Sequence, residues 1–249
     1  MSGEIAFTNT ALESSAALVT FVLLFACIAK IKMQRGIKHV TSKNAKRNTL
    51  DYILIIWLVI HMIVLTADVL SWTAMDFGKN EVWLLFMLNL TFTCLFLECM
   101  VYTYYVKETI YQHEMIGNTY VYLVMLSTVI AIILWITSDI SGKFYYLDTQ
   151  GNYTQGSMYW LCQFYCIIVM CGNIVILLKH RKALVRHDVL SLLMYGLIPI
   201  ASIPAQMLWK STTFNLATTL ALIYICISVH MAQYDRIVEQ EKLLITAGT

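Results

Sequence analysis

Two carboxylates stand inside apolar runs, Asp68 in "VLTADVLSW" and Glu98 in "FLECMVY". An ionisable group at membrane depth is costly unless it faces the interior of a helix bundle and finds a partner there. Each is therefore a candidate for binding or coupling. Counted at about 1.5 Å per residue, Asp68 lies about 9 Å inside the nearer end of its run. The same count brings Asn89 and Gln163 to the same depth in two other runs. Trp72, Trp135, Tyr159, Trp160, Gln206, Trp209 and Asn215 lie at or just above that level. The expectation is one polar layer roofed by aromatic rings, the composition of a small-ligand pocket. Interfacial Trp and Tyr belts and interhelical Asn or Gln packing are the alternative use of the same residues.

Glu98 lies deeper, about two-thirds of the way through its run, either protonated and hydrogen-bonded or coupled to a moving part. His61 is central in its run, where a lone histidine reads first as a packing residue. Pro199 and Pro204 share one run. Each removes a backbone hydrogen bond and permits a kink, which makes that helix a candidate moving part. The seven cysteines, Cys27, Cys94, Cys99, Cys162, Cys166, Cys171 and Cys226, all fall in apolar runs and read as buried free thiols. Cys162 and Cys166 lack a second pair of ligands at metal-site spacing, so no metal is expected. "HEMIG" at His113–Gly117 lacks the second histidine of a zinc-protease helix. No catalytic set emerges, and no cofactor is called for. A retinal protein would need a lysine in the middle of the seventh run, and Thr212–Ala232 has none.

The elements that must position these groups follow from composition. Of 249 residues, 59% are hydrophobic and 13% charged, with two prolines, which indicates a polytopic membrane protein. A net charge of +2 points to no nucleic acid. Seven runs approach the roughly 20 residues a spanning helix needs: Ser15–Met33, Tyr52–Ala74, Val82–Val106, Tyr120–Ser138, Met158–Leu178, Val189–Trp209 and Thr212–Ala232. The expected fold is an all-α, seven-transmembrane bundle. With the N-terminus outside, fourteen lysines and arginines collect inside and three (Lys79, Lys143, Lys210) outside, so the positive-inside rule predicts N-out, C-in. "MSGEIAFTNTALESS" has no basic residue ahead of the first run and is not a cleavable signal. Between the fourth and fifth spans, "GKFYYLDTQGNYTQGSMYW" places aromatic and β-branched residues around a turn at 148–152, predicting a short extracellular β-hairpin over the mouth of the bundle.

"ADVLSW", Asn89, "YLDTQGNYTQGSMYWL" and "GLIPIASIPAQMLW" together resemble the N-terminal seven-helix sensory regions of bacterial signalling proteins joined to a histidine kinase or a GGDEF diguanylate cyclase. The resemblance spans essentially the whole chain on short motifs and topology. It implies a cytoplasmic-membrane receptor, without catalysis of its own, for an extracytoplasmic small ligand or membrane stimulus. In such a receptor the last helix passes helix motion to a cytoplasmic output domain, in a homodimer. Residues 1–232 would form the sensory bundle. Residues 233–249, with Tyr234 a coupling candidate, would be a signalling-helix stub. No phospho-acceptor region and no GGDEF motif stands between Lys242 and Thr249, so the expectation is either a piece of a longer protein that carries the output domain or a bundle that works with a separate partner protein. The alternative is a small-solute or proton-coupled transporter. The first three and last three spans share no motif of the kind an internal repeat would leave.

Overall fold

A computed structural model describes residues 3–36, 42–77, 81–112, 115, 117–148, 153–209 and 213–229. The elements are α1 (Gly3–Gly36), α2 (Ser42–Phe77), α3 (Glu81–Tyr111), α4 (Thr119–Ile136), the single turn α5 (Ser138–Ser141), β1 (Tyr145–Leu147), β2 (Tyr153–Gln155), α6 (Trp160–His180) and α7 (Arg186–Trp209). A last helix, α8, covers Thr213–Val229. Among the described residues, six helices are long and apolar enough to cross a membrane: Phe7–Lys32, Thr49–Ala74, Glu81–Tyr111, Thr119–Ser141, Trp160–His180 and Arg186–Pro204. The seventh expected span corresponds to α8, whose described length falls short of the other six. The architecture is that of a membrane-embedded helical protein.

Helical periodicity decides which faces meet. On α4, Val121, Val124, Thr128 and Trp135 form a buried stripe at three-, four- and seven-residue spacing. The other faces present Leu123, Leu126, Val129, Ile130 and Ile133 to the surroundings. A contiguous apolar surface of that size needs a non-aqueous neighbour, and lipid supplies it. The central helix is α3, which packs against α2, α4 and α6, while α2 also packs closely on α1. The two prolines of α7 lie inside a helix that runs through both. Each takes one backbone donor out of the helix ladder, and Ser202 Oγ donates to the Pro199 carbonyl at 2.7 Å.

Contacts identify the two ends of the bundle. At one end, α5 and the hairpin meet the start of α3, since Tyr145 Oη donates to Asn89 Oδ1 at 2.8 Å. At the other, the end of α1 meets the start of α2 through a buried Lys30–Asp51 pair at 2.6 Å. The hairpin is the expected one, antiparallel with Tyr145 opposite Gln155, Tyr146 opposite Thr154 and Leu147 opposite Tyr153. Its turn at 149–152 lies outside the described residues. Ser138 organises the base: its Oγ accepts from the Phe144 and Tyr145 N–H groups and donates to the Tyr145 carbonyl at 2.9 Å. Gly142, at φ 62°, ends α5 by donating to the Ser138 carbonyl. That left-handed conformation suits glycine.

The helices extend beyond the expected bounds. Residues 3–14, read from the sequence as a polar outer tail, are the first turns of α1, and α2 begins at Ser42 rather than Tyr52. Polarity at a helix end does not stop a helix; it stops only the hydropathy signal from which the bounds were read.

Candidate functional site

The three residues of the expected layer, Asp68, Asn89 and Gln163, each take their own hydrogen-bond partners among the described residues, although Asp68 lies close enough to act electrostatically on Tyr159, the partner of Gln163. Asp68 faces α1 and α8. Asn215 Nδ2 donates to Asp68 Oδ2 at 2.8 Å and to Glu13 Oε1 at 3.1 Å, which puts those two carboxyl oxygens at most about 6 Å apart. Like charges that close repel by roughly 3 kcal/mol even at an effective dielectric constant of about 20. Ser71 Oγ donates back to the Asp68 carbonyl at 2.7 Å. Trp72, one turn along α2 from Asp68, is half-buried, and its indole N–H has no hydrogen-bond partner among the described residues. Glu13 is the residue that sequence reasoning missed. It lies in a polar stretch with no flanking apolar run on its N-terminal side, but its four-residue spacing to Asn9 on a continuing helix could have revealed a buried polar face.

Asn89 instead faces α5 and the hairpin. Its Nδ2 donates to Asp139 Oδ2 at 3.1 Å, and the single Tyr145 hydroxyl proton is shared between two acceptors, the Asn89 amide oxygen and the Asp139 carboxylate. This group ties the hairpin to α3. Beneath it the expected aromatic vestibule is a packed aromatic core. Trp135, fully buried, stacks on Phe92 at 3.8 Å and lies 4.7 Å from the Tyr145 ring and 6.3 Å from Tyr159. Gln163 Nε2 donates to Tyr159 Oη at 3.5 Å. Trp160, expected in the wall, points outward and is 58% exposed, edge-on to Phe164. A helix turns its side chains about 100° per residue, so Tyr159 and Trp160 cannot both face the same interior. Gln206 and Trp209 lie on α7, with side chains outside those described, and Tyr234 lies outside the described residues.

A second buried polar level lies two turns along α2 from Asp68. His61 is not a lone packing histidine: Nδ1 is 2.7 Å from Glu98 Oε1 and Nε2 is 2.8 Å from Thr219 Oγ1. Thr219 donates its single hydroxyl proton to the Asn215 carbonyl at 2.9 Å, so towards His61 it accepts, and Nε2 carries hydrogen. One further proton then lies between Nδ1 and Oε1, either as imidazolium with carboxylate or as neutral imidazole with carboxylic acid. The pair is closed off from the surface on every side. Glu98 thereby acquires the partner that its depth demanded. Sequence periodicity could not show it, because the pairing residues sit 37 and 158 positions from His61.

Outside the spanning segments, three tyrosines around the hairpin have raised pKa values. Burial pushes Tyr159 up to about 12, with the Gln163 bond opposing it. Burial also raises Tyr153, and it raises Tyr145 with help from the Asp139 carboxylate. All seven cysteines are free; six are buried, and Cys171 faces outward, a departure from the expectation of seven buried thiols. Neither a protein-family model nor a curated protein matches the chain.

Proposed function

We propose that this protein is a membrane-embedded sensor. Its N-terminus and hairpin would lie outside, and its buried polar levels would set the position of α8, the helix that leads to residues 233–249. The observation that carries the reading is that α8 is held by side chains at two heights: Asn215 bridges the carboxyls of α1 and α2, and Thr219 bonds the His61–Glu98 pair of α2 and α3. A change in charge or occupancy at either level alters the bonds that restrain α8. It can bias a two-state arrangement only to the extent that it favours one state over the other. The excess of basic residues on one side of the sequence supports the orientation. The resemblance to bacterial sensory regions supports an output on the cytoplasmic side, from a kinase or cyclase domain or a separate partner.

Reading the coding sequence past Thr249, followed by output assays on the natural continuation or on a chimera with a known output domain, tests the proposal. Asp68→Asn and Asn215→Ala should each shift basal output several-fold. Unchanged output in both variants would remove this network from signalling. A second reading, a proton-coupled transporter, is favoured by the ionisable His61–Glu98 pair at mid-bundle. Proton or solute flux in proteoliposomes, abolished by Glu98→Gln, would establish it instead.

A further inference from the structure

We infer that the junction of α1, α2 and α8 at the hairpin end is a binding site for a small organic ammonium that also carries a hydrogen-bond acceptor, a molecule of amino-acid size. The cationic half of the argument is the carboxyl pair. Glu13 and Asp68 converge on the single Asn215 amide from two different helices; Glu13 is buried and Asp68 is half-buried. The two carboxylates carry two negative charges; one ammonium cancels one of them, and its three N–H donors can bond oxygens of both groups, whereas a single proton cancels the same charge but satisfies only one contact.

The acceptor half rests on a separate observation. Asn9 lies four residues from Glu13 on α1, hence on the same face and about 6 Å further towards the hairpin end. Its side chain is only 2% exposed, and its Nδ2 finds no hydrogen-bond partner. A buried amide donor without an acceptor is a cost that native structures rarely carry without a reason. On α2, Trp72 repeats the arrangement one turn from Asp68, with a buried indole N–H that has no hydrogen-bond partner among the described residues. Two carboxyls with N–H donors one turn outward form a polarity matched by a molecule with an ammonium at one end and a carboxylate, hydroxyl or carbonyl at the other. An alkali cation leaves the donors unused.

The inference rests on the sensor reading only for the consequence of binding; the binding itself is measured on the isolated full chain in lipid nanodiscs. Thermal stabilisation and calorimetric titration with glycine, 4-aminobutyrate, ethanolamine, methylammonium and sodium separate the alternatives. At least one of the three bifunctional amines should bind tenfold or more tightly than methylammonium. Glu13→Gln and Asp68→Asn should each weaken it at least tenfold. Asn9→Ala should remove the advantage over methylammonium while leaving methylammonium unchanged. The inference is overturned if no amine binds the wild type, if sodium binds as tightly as the amines, or if Asn9→Ala, which spares the carboxyl pair, leaves the preference intact. Binding without any change in output from the chimera would keep the site and refute the sensor. Output responsive to Asp68→Asn with no amine binding would do the reverse.

Discussion

Removing His61 and Glu98 singly and together tests whether the mid-bundle pair is a proton-sharing unit or an ordinary interhelical hydrogen bond. In His61→Leu the Glu98 carboxyl keeps its burial and loses its nitrogen partner. Breaking a buried ionisable pair from one side costs about 3–5 kcal/mol. In Glu98→Leu the imidazole can remain neutral with Nε2 on Thr219, so the cost is smaller, about 1–3 kcal/mol for one unsatisfied buried group. The double leucine variant leaves no orphan, because Thr219 still donates to the Asn215 carbonyl. Well-packed apolar replacement of such a pair is commonly near neutral. The expected coupling is therefore at least about 2 kcal/mol, roughly 30-fold in the unfolding constant. Ordinary hydrogen bonds between membrane helices average about 0.6 kcal/mol by the same kind of cycle, so the two cases separate clearly. The assay is unfolding of the protein in lipid–detergent micelles by titrated sodium dodecyl sulfate, followed by circular dichroism and by labelling of the six buried thiols with a fluorescent maleimide. Additivity of the two single variants to within about 0.5 kcal/mol would refute the shared proton.

Two further outcomes concern the hairpin. Gly156→Ala would put a Cβ 2.2 Å from the Lys143 carbonyl oxygen, and that carbonyl cannot retreat without losing its bond to the Met158 N–H at 2.8 Å. A local cost of about 2–4 kcal/mol is expected from the clash and the lost bonds, read as faster tryptic cleavage after Lys143; cleavage at the wild-type rate would count against the packing of the hairpin base. Alkaline titration gives the second. A tyrosine whose pKa is raised on folding contributes stability that is complete below its ordinary value near 10 and is lost as pH rises through its folded value. For Tyr159 that window runs from about 10 to about 12, so tyrosinate absorbance should lag behind that of free tyrosine and the hairpin should loosen above about pH 10. Coincidence of the two titrations would show that these rings are solvated.

What could be read in the sequence, and what could not, divides by the range of the physical signal. The long apolar runs and the presence of a hairpin between the fourth and fifth of them depend on residues close together in the chain, and hydropathy and turn composition report them. Which residue faces which does not follow from depth alone. Asp68, Asn89 and Gln163 count to the same depth along their runs, yet rotation about each helix axis sends Asp68 towards α1 and α8, Asn89 to the hairpin and Gln163 to Tyr159. A helical residue advances about 100° in azimuth for about 1.5 Å in height, so an error of one residue barely changes the depth and turns the side chain to a different neighbour. Glu13 was hidden for a different reason. Hydropathy marks where lipid contact begins, whereas α1 continues past that point with a polar face turned inward.

The two levels on α8 also make a mechanical point that neither makes alone. Asn215 and Thr219 are one turn apart and are linked by the Thr219 hydroxyl on the Asn215 carbonyl, so they move as one piece. Their partners do not. Asp68 and His61 belong to α2, but Glu13 belongs to α1 and Glu98 to α3. Neutralising or occupying the carboxyl pair releases α8 from α1 while Thr219 still holds it to His61, and the helix then has a pivot one turn inside the released contact. A pivot near one end turns a small shift at Asn215 into a larger displacement at the far end of α8, near Ser228, where the described bond to the His187 carbonyl is long at 3.4 Å. On this argument Thr219→Ala, which removes the pivot and leaves the carboxyl pair intact, should uncouple output from Asp68→Asn in the chimera. If the Asp68→Asn effect survives in the Thr219→Ala background, α8 is not the lever.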